Sequence, residues 1–85
     1  MTILQLEKKL IKLNVSQREF SLKGDLMFDA INLIRNYDKW EVFYLDEKGN
    51  RNDQLKFDDE SSACEHIYSL FKESKRISRI FKLNL

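Results

Sequence analysis

Residues 36–58 read NYDKWEVFYLDEKGNRNDQLKFD, and the fold turns on how this stretch is placed. Trp40 to Leu45 is aromatic or β-branched apart from Glu41 and Leu45. Side chains of that kind fit the pleated, half-buried surface of a sheet. Asp46-Glu47-Lys48-Gly49-Asn50 interrupts the run, and Gly49 and Asn50 tolerate the positive φ that a hairpin return needs. Gln54 to Phe57 resumes with period two, with Leu55 and Phe57 apolar and Gln54 and Lys56 polar. The stretch is therefore predicted to form two antiparallel strands joined by a tight return.

Charge and apolarity choose the register. Pairing Asp46 with Arg51 sets Glu41 opposite Lys56, Val42 opposite Leu55 and Trp40 opposite Phe57. Opposite charges meet and apolar groups meet, as cross-strand pairs prefer. A slip of one residue would put Glu41 beside an apolar partner. In this register Trp40, Val42 and Tyr44 share a face with Leu55 and Phe57. Ile31 and Leu33 of the preceding segment join them, and this face is the predicted core. Phe43 and Leu45 fall on the opposite face with Ala30 and Ile34. That second apolar face needs a cover, from a helix, the C-terminal tail or another protein.

Outward from the hairpin the period changes. Thr2 and Gln5 stand at capping-box spacing, and Ile3, Leu6, Leu10 and Leu13 follow helical spacing. A helix is predicted over 2–13, with Asn14 as its C-terminal stop. Residues 15–26 carry weaker signals: Ser16 to Glu19 reads as a capped helical turn, Phe20-Ser21-Leu22 alternates, and Lys23-Gly24-Asp25 is a turn. After the hairpin, Asp59 is a good N-cap and Glu60 suits the positive helix end. Ala63, Cys64, Ile67, Leu70 and Phe71 then form one amphipathic face, and Lys72, Lys75 and Arg76 suit the negative end. Residues 77–85 alternate, which favours an extended tail or a short edge strand. The expected fold is α+β: a three-stranded antiparallel meander over 28–35, 40–46 and 52–57, flanked by an N-terminal and a C-terminal helix, with the tail as candidate fourth strand.

Length and composition narrow the function. Eighty-five residues suit a single domain near the small end of what folds alone. No proline and only two glycines leave no linker or low-complexity segment. A net charge of +1 argues against a nucleic-acid binder held by phosphate neutralisation. No apolar run is long enough for a membrane span. MTILQLEKKL lacks the order of regions found in a secretory leader, and the single cysteine forms no internal disulfide. These features together predict a cytoplasmic protein. No sequence feature specifies an oligomeric state.

No catalytic or metal motif stands out. Cys64 and His66 lie two residues apart on a helix and face different directions. Cys64 reads as a small buried hydrophobe and His66 as a surface residue. Asp46, Glu47, Asp53, Asp58, Asp59 and Glu60 do not follow calcium-loop spacing. No enzyme activity, metal or cofactor is expected. The carboxylates read either as solvated turns plus a helix cap, or as an acidic surface for a basic partner. Charge is segregated: residues 38–60 hold eight acidic and four basic side chains, residues 72–85 five basic and one acidic. These blocks could pair with each other. A nucleic-acid role for the basic tail has no aromatic stacking platform behind it.

The segment WEVFYLDEKGNRNDQLKFDDESSACEHIYSLF, residues 40–71, resembles small bacterial immunity proteins of polymorphic toxin systems, including those of contact-dependent growth inhibition. Trp40-Glu41-Val42-Phe43-Tyr44, Glu47-Lys48-Gly49-Asn50, Phe57, Glu60 and Ala63-Cys64-Glu65 carry the likeness. Phe20-Ser21-Leu22 after an N-terminal helix is similar too. The resemblance implies an antitoxin-like protein that binds and blocks its cognate toxin through protein–protein contact. Many such toxins are nucleases with basic active sites, which an acidic antagonist would meet quickly through electrostatic steering. The expected docking site is the acidic hairpin end and the adjoining helix start: Asp46, Glu47, Asp53, Asp58, Asp59 and Glu60. The alternatives are a small adaptor or regulatory interaction domain and, behind it, a small enzyme or nucleic-acid binder. A neighbouring toxin gene or affinity purification from the native cell separates the first two.

Overall fold

The computed structural model describes the backbone of residues 1–83 and the side chains of residues 1–74. Helix α1 spans Ile3–Lys12. Thr2 caps it, accepting the Gln5 N–H, while the Gln5 side chain accepts the Thr2 N–H, so both donors are satisfied reciprocally. Asn14 takes a left-handed φ of 63° and turns the chain out of the helix, as the sequence predicts. Leu6 and Leu10 are buried.

Four strands follow: β1 (Phe20–Ser21), β2 (Ala30–Asn36), β3 (Lys39–Leu45) and β4 (Arg51–Phe57), in the order β1-β2-β3-β4. β2, β3 and β4 form the predicted antiparallel meander. The fourth strand is not the tail. It is Phe20–Ser21, and it lies parallel to β2, pairing Phe20 with Ile31 and Ser21 with Asn32. The sheet is therefore mixed. A parallel neighbour usually needs a long crossover; because β1 is only two residues long, residues 22–29 suffice to return the chain to the start of β2.

Helix α2 runs from Glu60 to Leu83, so residues 77–83 are helical rather than an extended tail or edge strand. Residues 84 and 85 of that predicted tail lie outside the described residues. No glycine or proline stands between Glu60 and Leu83, and extending an established helix is far easier than starting one. Ile77, Ile80 and Phe81 also keep the i, i+3, i+4 spacing of the preceding turns, a period that overlaps the apparent alternation.

Both helices lie on one face of the sheet. α2 packs on α1 and on β3 and β4. Leu6, Leu10, Val15, Phe20, Leu22, Leu33, Val42, Ala63, Cys64, Ile67 and Phe71 make the core, with Trp40, Ile31 and Phe57 packed against it.

The hairpin keeps three of its predicted pairs: Trp40 with Phe57, Glu41 with Lys56, and Val42 with Leu55. Beyond them the register shifts. Tyr44 pairs with Asn52 and Leu45 with Arg51, so Arg51 does not face Asp46. The extra residue belongs to a β-bulge in β4, where Asp53 sits at φ 54°. Aspartate is among the few non-glycine residues that enter this region readily. A shift of one residue reverses facing, so Arg51 moves to the Phe43 side. Its guanidinium lies 4.3 Å from the Phe43 ring centroid and 3.7 Å from a Glu41 carboxylate oxygen.

That bulge supplies part of the cover of the second sheet face, where Ala30, Phe43 and Leu45 are buried. Arg51 lies over Phe43. Asn32, fully buried, holds the crossing segment down: Met27 N–H donates to its Oδ1, and its Nδ2 donates to the Met27 and Ala30 carbonyls. Glu41 on the same face is buried too. Its carboxylate accepts from Asn36 and Gln54 and pairs with Arg51, although Lys56 is its partner in register.

Candidate partner-binding surface

The six carboxylates of the predicted docking site separate into two groups. Asp46, Glu47 and Asp53 lie towards the hairpin return, whereas Asp58, Asp59 and Glu60 follow the other end of β4. Seven residues of strand put about 20 Å between those ends, so hairpin end and helix start do not adjoin.

Four of the six are engaged in holding the fold. Asp46 Oδ1 accepts the Lys48 and Asn50 N–H groups at 3.0 and 2.8 Å, and Oδ2 accepts from Asn52. Gly49, at φ 85°, completes this return. Asp58 is ion-paired with Lys39 across β3 and β4; the hydrogen bond to Asp58, and then its charge, hold the Lys39 ammonium above its ordinary value. Asp59 caps α2 by accepting the Ser62 N–H at 2.7 Å. Glu60 reaches across to accept the Ile3 N–H at 2.9 Å, tying α2 to the start of α1. The side chains of Glu47 and Asp53 make no hydrogen bond or ion pair among the described residues, and both are exposed.

These bonds have a pH signature. The Asn50 backbone bond depresses the Asp46 carboxyl, and the Ser62 backbone bond depresses that of Asp59. Because each folded-state value lies below the unfolded one, the stabilisation is full above the ordinary value of 3.8 and fades as pH falls through the depressed folded value. Asp46→Asn and Asp59→Asn should each flatten the acid limb of a stability-versus-pH curve. Identical acid limbs in denaturant melts of variant and parent would refute this.

The second functional feature is not apparent in the sequence. Tyr44 and Leu55, predicted as core, are 37% and 47% exposed, and Leu70 on α2 is 39% exposed. They lie on the helix-covered face of the sheet, but α2 leaves them partly open. Between hairpin and helix runs an open groove of about 440 Å³, lined by Ile31, Tyr44, Leu55, His66, Leu70 and Phe71 among others. His66 is half-buried there, with its ring 5.3 Å from that of Phe57, rather than a free surface residue. Asp53 lies at the edge of the same groove. The Tyr44 phenol is pushed above its ordinary value by partial burial first, then by Asp29, with Asp46 and Glu47 adding to it. Negative charge thus concentrates at this end of the groove.

Cys64 is buried in the core. Burial pushes its thiol up to about 11, so little thiolate exists at neutral pH. Native protein should react with a thiol reagent only as fast as it unfolds, and Cys64→Ala should leave partner binding unchanged. Rapid labelling of folded protein would contradict this placement. Among the described residues no three His, Cys, Asp or Glu side chains gather where a metal could be held. Nor is any described helix long and apolar enough to cross a membrane. Lys72 lies over the Tyr68 ring. The side chains of the remaining basic tail, read as a possible partner for the acidic block, lie outside the described residues.

No family model, curated protein or solved structure matches this chain.

Proposed function

We propose that this protein is a non-enzymatic binding protein that neutralises a cognate bacterial toxin, a nuclease in its simplest form, in the cytoplasm of the cell that makes it. The observation that carries the proposal is the hairpin end, where Glu47 and Asp53 are exposed carboxylates with no partner among the described residues. Hairpin ends vary without disturbing a core, and unpaired carboxylates are free to meet arginine or lysine of a nuclease cleft. The resemblance over residues 40–71 supports the same partner class. Asp46, Asp58, Asp59 and Glu60 add to the field, but each already has a structural task.

The division of tasks dictates the test. Reversing Asp46 would break the return itself, so the informative variants are Glu47→Lys and Asp53→Asn. Asparagine retains the tolerance for the left-handed conformation at position 53. The protein is used as bait in its native cell, and the captured partner is purified. Association of the partner with the double variant should be about three- to tenfold slower at low salt, with the difference shrinking as salt rises. An unchanged association rate at low salt would remove the hairpin end from the interface.

A further inference from the structure

We infer that the groove between the β3–β4 hairpin and α2 is a docking site for a cationic amphipathic helix, whose apolar ridge is flanked by lysine or arginine. This rests on the binding role proposed above and specifies the partner's chemistry. Tyr44, Leu55 and Leu70 are large apolar side chains left partly open beside a concave surface, a form that takes apolar anchors from a helix. The α2 wall runs from His66 to Ser74, about 12 Å at 1.5 Å per residue, which matches a little over two turns of a docked helix.

Charge selects the rest of the ligand. Among the described residues lining the groove there is an aspartate, Asp53, and no lysine or arginine. Asp29, Asp46 and Glu47 act on the Tyr44 phenol at the same end. An acidic helix would meet repulsion there, and a neutral one would leave the Asp53 carboxylate without a partner. A helix with cations beside its apolar ridge satisfies both features at once.

The test uses the full chain and two synthetic peptides. One carries leucines at helical spacing flanked by lysines; its twin has glutamates for the lysines. In amide-resolved NMR titrations the lysine peptide should give saturable shifts centred on Ile31, Tyr44, Leu55 and Leu70. The twin should bind about tenfold more weakly or not at all, because several attractive rim pairs turn repulsive together. Asp53→Asn should weaken the lysine peptide about threefold. Leu55→Glu, at an exposed position on an edge strand, should abolish the groove shifts while the circular dichroism spectrum stays that of the parent. Equal binding of both peptides would overturn the proposal, as would shifts outside the groove or their survival in Leu55→Glu. The titration needs no toxin, so its failure leaves neutralisation standing, and neutralisation can fail while the groove still takes the lysine peptide.

Discussion

Replacing Ile67 with alanine should lower the free energy of unfolding by about 3–4 kcal/mol, the cost of lost burial plus an unfilled cavity. Ile67 is fully buried, in the same core cluster as Leu6 and Leu10 of α1 and Leu33 and Val42 of the sheet. Helices and sheet share that cluster, so the site has little freedom to collapse around a smaller side chain. Ile67→Val, which removes one methylene, should cost only about 1 kcal/mol. Urea melts at constant slope measure both. A loss under about 0.5 kcal/mol for Ile67→Ala would show that α2 is not seated on the sheet as described. Val42→Ala, across the same layer, should cost about 2 kcal/mol or more by the same mechanism.

Asn32→Ala should be nearly as damaging, at about 2–3 kcal/mol, for a different reason. The Asn32 side chain is fully buried and makes three hydrogen bonds, two with Met27 and one with Ala30. Truncation leaves the Met27 N–H and carbonyl without that partner, and an unmade buried bond costs more than a made one contributes. Residues 22–29 should then loosen. Faster amide exchange across that segment, with α1 protection unchanged, is the expected pattern; uniform destabilisation would mean that Asn32 does not pin it.

Several of these features could be read before folding, and others could not. The Trp40–Phe57, Glu41–Lys56 and Val42–Leu55 pairs are legible because charge and apolarity both select them. The shift after Val42 is not, since its only sign is an aspartate that tolerates positive φ, and Gly49 already accounts for the return. Phe20–Ser21 is too short to show a period, and its parallel pairing is decided by where residues 22–29 travel. In the tail, a period of two through Phe81, Leu83 and Leu85 overlaps a helical spacing through Ile77, Ile80 and Phe81, and the absence of a stop signal was the better guide. The α+β class and both helix starts follow from caps that act locally, Thr2 with Gln5 and Asp59 with Ser62.

The candidate site shows the same limit. Acidic residues near the hairpin are plain in the sequence, but which ones are free is a property of the turn and the caps. Asp46 and Glu47 are neighbours, yet among the described residues one holds three hydrogen-bond donors and the other none. The groove depends on the path of α2 across β3 and β4, which leaves Leu55 open while covering Val42, its partner in register. Nothing in the alternation of β4 marks that difference.

Growth rescue tests the central claim most directly. The partner captured from the native cell is expressed in a heterologous bacterium alone, with this protein, and with its Glu47→Lys/Asp53→Asn variant. The proposed function predicts that the partner alone stops growth, that the parent protein restores it, and that the double variant restores it less at matched abundance. A partner that leaves growth unaffected, or toxicity that the parent protein does not relieve, would contradict it.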